Sequence, residues 1–221
     1  MAAVPITHQV VNHAAFNPKA VLPYGLRLAD FEMAMQDVYD FFYDVNLYLL
    51  DNDLQRLDDM LRPANLSGTL SDMITDALAK HSRTLTVNLY HNGHPDLLVR
   101  GRYPNDAVRA GTEGVEVKST RKRGGAVDTH GPRAQTLATF VYSVDNDRAK
   151  PVAERAPLTF REVYVATVSV ADFRKNARSE LGTRTATLNA EGIAKFRQAG
   201  KVYYDWPPRV SSQSSRGKWR L

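Results

Sequence analysis

The chain predicts one α/β (α+β) domain: a mixed central β-sheet flanked by helices, with an N-terminal helical segment. Three observations point there. Apolar residues recur at helical spacing as far as residue 82, and the period then switches to two. Strand and helix patterns are mixed within one mid-chain block rather than segregated. The chain has 221 residues, 43% of them hydrophobic and 24% charged, which is ordinary globular composition and enough for one sizeable core.

Residues 1–25 carry Pro5, Pro18, Pro23 and Gly25 without periodicity and read as an arm with little regular structure. From Leu28, the residues Phe31, Met35, Val38, Phe42, Val45 and Leu49 recur at steps of four and three, one face of a helix widened by Phe41 and Tyr48. Such a bulky stripe reads as core packing, with a dimer seam as the alternative. Residues 51–61 predict a short second helix with Leu54, Leu57 and Leu61 on one side, ended by Pro63. Residues 66–82 predict a third, capped by Ser67 or Thr69, with Leu70, Met73, Ile74, Ala77 and Leu78 as its apolar face. Residues 26–65 are thus a helical segment suited to dimerisation or specificity, and 66–210 the core.

In residues 84–90, Leu85, Val87 and Leu89 point one way and Thr86 and Asn88 the other, which marks a strand. His91-Asn92-Gly93 signals a turn, and a second strand runs from Pro95 to Val99, closing a hairpin. Residues 101–113 read as a loop, and Gly114–Ser119 as the third strand. A basic glycine loop follows at 121–125, then a helix over 132–139, a strand over 139–145, a loop to 157 and a strand over 160–170. Residues 171–181 predict a helix. Residues 185–199 start as a strand and become a helix capped by Asn189 and stopped by Gly200, and 202–204 give an edge strand. The tail 211–221 is polar and basic, which predicts a mobile end.

Composition narrows the chemistry. No cysteine is present, so disulfides, thiolate zinc sites and cysteine nucleophiles are excluded. No apolar run reaches membrane-spanning length and no basic-then-apolar leader opens the chain, so the expectation is a soluble cytoplasmic protein without a membrane partner. A net charge of +5 and a pI near 9.4 suit a polyanionic partner. Acidic residues crowd positions 30–60, whereas basic ones cluster later, at 100–102, 118–123, 174–184 and 216–220. No P-loop, G-x-S-x-G or G-x-G-x-x-G pattern occurs. His91 and His94 have a metal-like spacing but no further His or Cys completes a zinc set, and Trp206 before Pro207 reads as a packing anchor.

The stretch that carries chemistry runs from His94 to Lys118. Glu116 and Lys118 are two apart on a strand and so share a face, with Val117 pointing to the other. Asp96 opens the neighbouring strand, where the hairpin can bring it beside Glu116. Two adjacent carboxylates repel unless a cation lies between them, and Mg²⁺ needs only one or two carboxylates because it keeps several waters. The Val117 carbonyl is a third oxygen, and Lys118 can hold an attacking water or stabilise charge on a phosphate.

Pro95-Asp96 followed by Glu116-Val117-Lys118 resembles the PD-(D/E)XK, or restriction-endonuclease-like, superfamily. A helix before a hairpin, the Asp opening the second strand and the E-x-K on the third match it as well, over roughly residues 66–145. The resemblance implies Mg²⁺-dependent hydrolysis of double-stranded DNA, with Mn²⁺ able to substitute, and a homodimer to cut both strands. Asp96, Glu116 and Lys118 would be catalytic, with Asp96, Glu116 and Val117 the metal ligands. A further helical acid would be Asp76 or Asp72, and Gln135 is the candidate for a glutamine some members carry after the E-x-K strand. Ser119, Arg121, Lys122 and Arg123 would emerge beside the metal and meet flanking phosphates, while Arg133 and Gln135 would reach base edges. Two other readings stand beside this one: a non-catalytic DNA-binding or regulatory protein on the same scaffold, and an interaction protein that uses the aromatic helix.

Overall fold

The computed structural model describes residues 6–129, 131–175 and 185–207. The helices are α1 (Leu28–Asp51), α2 (Leu57–Met60), α3 (Pro63–His81) and α4 (Ala190–Ala199). The strands are β1 (Leu85–Val87), β2 (Leu97–Val99), β3 (Gly114–Thr120), β4 (Asp128–Thr129), β5 (Gln135–Ser143), β6 (Thr159–Val168), β7 (Phe173–Lys175), β8 (Ala186–Leu188) and β9 (Lys201–Tyr204). Among the described residues they form a six-stranded sheet in the order β1-β2-β3-β5-β6-β9 and a three-stranded sheet in the order β4-β8-β7. The expected mixed α/β sheet flanked by helices is therefore the fold. No described helix is long and apolar enough to cross a membrane.

Strand alternation divides the large sheet into two buried faces. On one, Val115, Val117, Ala138, Phe140, Val163 and Val165 pack with Phe31, Met35 and Val38 of α1 and Leu70, Ile74 and Leu78 of α3. The aromatic stripe of α1 is thus core, with Phe31 stacked on Phe140 at 6.0 Å and Tyr39 on Phe160 at 5.5 Å. On the other face, Leu137, Val141, Tyr164 and Val168 meet Phe173 of β7, Leu188 of β8 and Phe196 of α4. Glu116, Lys118 and Thr120 belong by register to this second face, since they lie opposite Leu137, Thr139 and Val141.

Several elements differ from expectation. Residues 135–139 lie in β5, not in a helix; β5 pairs parallel to β3 and antiparallel to β6. Gln135, Thr136 and Thr139 break up the apolar residues without the strict alternation of a half-buried strand, so periodicity alone does not separate this strand from a helix. Within 171–181, the described residues make a 3₁₀ turn (Val170–Asp172) and then β7, while 176–181 lie outside the described residues. The turn is set by Asp172, whose Oδ2 accepts from the Ser169 amide at 2.6 Å. Pro63 opens α3 at its first position, where its missing N–H costs nothing, instead of only closing the preceding helix. That preceding helix is reduced to four residues. Asp53 takes a positive φ of 55°, and the buried Arg56 and Asp58 tie the segment to Asn46, whose Nδ2 donates to Asp58 Oδ1 at 2.9 Å.

The arm is better ordered than its sequence suggests. It buries Val11 and Phe16, and Phe16 bridges Tyr203 on the outer edge of β9. The Asn17 amide donates to Val202 O at 2.8 Å, and Asn12 Nδ2 donates to Asp205 Oδ1 at 3.0 Å. The basic tail 211–221 lies outside the described residues.

Candidate active site

Three elements place the site. α3 feeds β1, and the β1–β2 connection is pinned by one side chain. Asn88 Nδ2 donates to Pro95 O (3.0 Å) and Val108 O (2.8 Å), while its Oδ1 accepts from the amides of Tyr90 (3.1 Å) and Val108 (3.0 Å). These four bonds fix where the chain enters β2 and hence where Asp96 stands. The Val117 amide then donates to Asp96 Oδ2 at 2.8 Å, which ties the carboxylate to β3.

Glu116 and Lys118 project from β3 on the same side, as alternation requires. The Lys118 ammonium sits among three oxygens: Glu116 Oε1 at 2.6 Å, Val117 O at 3.1 Å and Asp96 Oδ2 at 3.6 Å. Glu116 Oε2 accepts from His94 Nδ1 at 2.8 Å. Asp96, Glu116 and Lys118 are therefore brought together as expected, and the Val117 carbonyl joins them.

The charges are tuned by this crowding. Burial pushes the Glu116 carboxyl up, but the His94 hydrogen bond and the Lys118 ammonium outweigh it and hold the group down at about 2. Asp96 moves the other way: burial raises it, and the Lys118 charge does not fully offset burial and the repulsion of Glu116. Burial alone would lower Lys118, but its two carboxylates raise it, so it stays a cation. Two unlike carboxylates around one cation are a marker of functional sites.

A cavity of about 280 Å³ opens over the cluster, lined by His94, Asp96, Glu116, Lys118, Arg133 and Gln135 among others. Gln135 is buried at 6% exposure, and its Nε2 has no hydrogen-bond partner among the described residues. Buried amides are nearly always paired, so this donor, itself closed off from solvent, is an exception within the cavity wall. Arg133 is exposed at the rim. Asp72 and Asp76 are exposed on α3 and share with Asp96 an adjoining cavity of about 320 Å³. Among the described residues no three His, Asp or Glu side chains stand close enough to hold a metal ion by themselves, so neither helical acid completes a side-chain cage.

The basic loop divides. Lys118, Arg121 and Lys122 line a wide cleft of about 730 Å³ that begins at Lys118 and runs past the first turns of α3. Arg121 donates to Val144 O at 3.0 Å and Asn146 Oδ1 at 2.8 Å. Ser119 also lines this cleft but is buried there, its Oγ donating to Ser67 O and its amide to Ser71 Oγ. Arg123 leaves the site altogether: its guanidinium lies 4.7 Å from the Trp206 ring centre and 3.7 Å from Glu162 Oε1. Trp206 is the packing anchor expected, donating to Glu162 Oε1 at 2.6 Å.

His94 joins the site through Glu116, although in sequence it has no further His or Cys to complete a ligand set. The available signal was its place two residues before Asp96, in the turn that delivers Asp96 to Glu116. Comparison with family models, with curated proteins and with solved structures finds no match for this chain.

Proposed function

We propose that the chain is a metal-dependent DNA endonuclease of restriction-enzyme type, in the PD-(D/E)XK superfamily, acting as a homodimer. The observation that carries this reading is the convergence of Glu116 Oε1, Asp96 Oδ2 and the Val117 carbonyl on one cationic position, filled by the Lys118 ammonium, at the floor of a cavity. Two carboxylates and one carbonyl are hard oxygen donors and suit Mg²⁺ or Mn²⁺, ions that retain water ligands and need no side-chain cage. Asp96, Glu116 and the Val117 carbonyl are the groups that would hold the ion. When bound, the ion supplies charge neutralisation at the attacked phosphate and a lowered pKa for a bound water.

The chain's own residues do the rest. Lys118, on a long flexible stem, presents ammonium protons to the attacking water or to a phosphate oxygen. His94 orients Glu116 through Oε2, which leaves Oε1 as the oxygen aimed at the cation. Gln135 forms part of the cavity wall, and Arg133 at the rim meets the substrate from solvent. Arg121 and Lys122 hold flanking phosphates along the cleft that leaves the site.

One observation favours a second reading, a DNA-binding protein without catalysis. Both Glu116 oxygens are already engaged, by Lys118 and His94, as they would be in a silent site. Incubating the protein with supercoiled plasmid, with and without Mg²⁺, separates the two: nicking only with metal is the expected result. Lys118→Ala is expected to keep DNA binding and to cut roughly 10²–10³-fold more slowly, the scale for loss of one transition-state donor. Cleavage at the wild-type rate by that variant would remove the assignment.

A further inference from the structure

A second cavity lies on the same face of the large sheet, at its far end. It has a volume of about 370 Å³ and is lined by Arg123, Glu162, Tyr164, Arg197, Lys201 and Tyr204, with Gly124 between them. The one carboxylate there is fully occupied. Glu162 is 1% exposed; its Oε2 accepts from the Gly124 amide (2.6 Å) and the Tyr164 hydroxyl (3.1 Å), and its Oε1 from Trp206. Arg123 balances its charge at 3.7 Å.

The other two cations have no such balance. Among the described residues neither Arg197 nor Lys201 forms an ion pair. Arg197 Nε makes one long bond, 3.4 Å, to Gly124 O, and Lys201 Nζ lies 5.1 Å from the Tyr204 ring centre. Gly124 is what lets the guanidinium settle there: at φ +85° a Cβ would fall on the Arg197 head group. Three cations around one neutralised carboxylate, with tyrosine hydroxyls beside them, make a positively charged, donor-rich cavity.

We propose that this cavity is a phosphate-binding subsite in which Arg197 and Lys201 grip the anion. A planar guanidinium beside a mobile ammonium is the pairing that takes a tetrahedral oxyanion from two sides. The phosphate comes either from the backbone of a nucleic-acid strand or from the terminus of a free nucleotide. The backbone source rests on the proposed nuclease reading, because the basic loop at 121–124 leads from the catalytic cleft to this cavity; the nucleotide source does not.

The test compares the full chain with an Arg197→Gln/Lys201→Gln variant, both checked for an unchanged melting temperature. In metal-free buffer, binding of a fluorescent DNA duplex is followed as salt rises. Loss of this one phosphate contact is expected to flatten the slope of log K against log salt by about 0.9. In a second arm, calorimetry follows inorganic phosphate and a nucleoside monophosphate. A flattened duplex slope assigns the site to the backbone. An unchanged slope with at least roughly tenfold weaker nucleotide binding assigns it to a terminal phosphate, since one lost charge-assisted contact is worth about that much. Equal behaviour of both proteins in both arms overturns the subsite. Failure of the wild type to bind duplex counts against the nuclease reading, and the calorimetric arm then decides the subsite alone; no binding there overturns it too.

Discussion

Two buried carboxylates lie on one face of the same sheet and do opposite things. Glu162, 1% exposed, is surrounded by fixed donors: a backbone amide, a tyrosine hydroxyl and an indole N–H. Glu116, 7% exposed, is held instead by two side chains that can move, Lys118 and His94, under an open cavity and beside a second carboxylate. Burial alone therefore does not mark a site. What separates the two is whether the donors are rigid and whether a second like charge stands nearby.

The comparison breaks most visibly through activity. Glu116→Gln is expected to reduce Mg²⁺-dependent nicking by about 10³-fold or more, while the melting temperature stays within a few degrees because Lys118 keeps Asp96 as its counter-charge. If that variant instead unfolds early, Glu116 is a structural group like Glu162. The mirror experiment is Glu162→Ala, which leaves three donors without their acceptor while Arg123, exposed and bonded to Tyr204, stays solvated. It should cost about 1–3 kcal/mol, the scale for buried donors left unsatisfied, and be read as a melting point roughly 2–12 °C lower.

Gly124→Ala sharpens the contrast further. At φ +85° a Cβ is strained and meets the Arg197 guanidinium, so about 1–2 kcal/mol should be lost in denaturant titration. No comparable loss means the loop relaxes freely and Glu162 is less rigidly held than its bonds indicate.

The smallest effect belongs to a third carboxylate at the surface. Partial burial raises Asp37, but Lys80 and His81, each 2.8 Å away, bring it below its ordinary value. A depressed folded pKa contributes stability that is full above the unfolded value of 3.8 and fades as pH falls through the folded one. Asp37→Asn should therefore cost only about 0.5 kcal/mol near neutrality after solvent screening, and the difference should vanish in acid. A difference that persists in acid would mean that packing, not charge, is what the Asp37 side chain contributes.

The parts of this fold legible in sequence were those with a one-sided pattern. The α1 stripe, the Leu85–Val87 alternation and the Glu116/Lys118 pair each have a wet or polar side that reveals the period. β5 has none, since its residues from Gln135 to Tyr142 are buried throughout, so it read as a helix over its first half. The small sheet was not seen as a sheet because β4, β7 and β8 are only two or three residues long and gain their identity from one another. Site geometry followed the same rule. Asp96 and Glu116 came from strand and turn logic, whereas Arg123 looked like a neighbour of Lys118 in sequence and is turned by the Gly124–Gly125 bend toward Trp206.

The arm that bridges Phe16 to Tyr203 has a consequence for how the chain is made. Its contacts join residues as far as 193 positions apart, Asn12 to Asp205. On a ribosome adding about 5–20 residues per second, Asn12 waits roughly ten seconds or more for Asp205. Until then Phe16 lacks its partner Tyr203 and the β9 edge does not yet exist. The arm's bonds to α1, such as the Val11 amide to Gln36 Oε1, can form early, whereas its docking on β9 comes late and seals a strand edge that would otherwise be open to another chain.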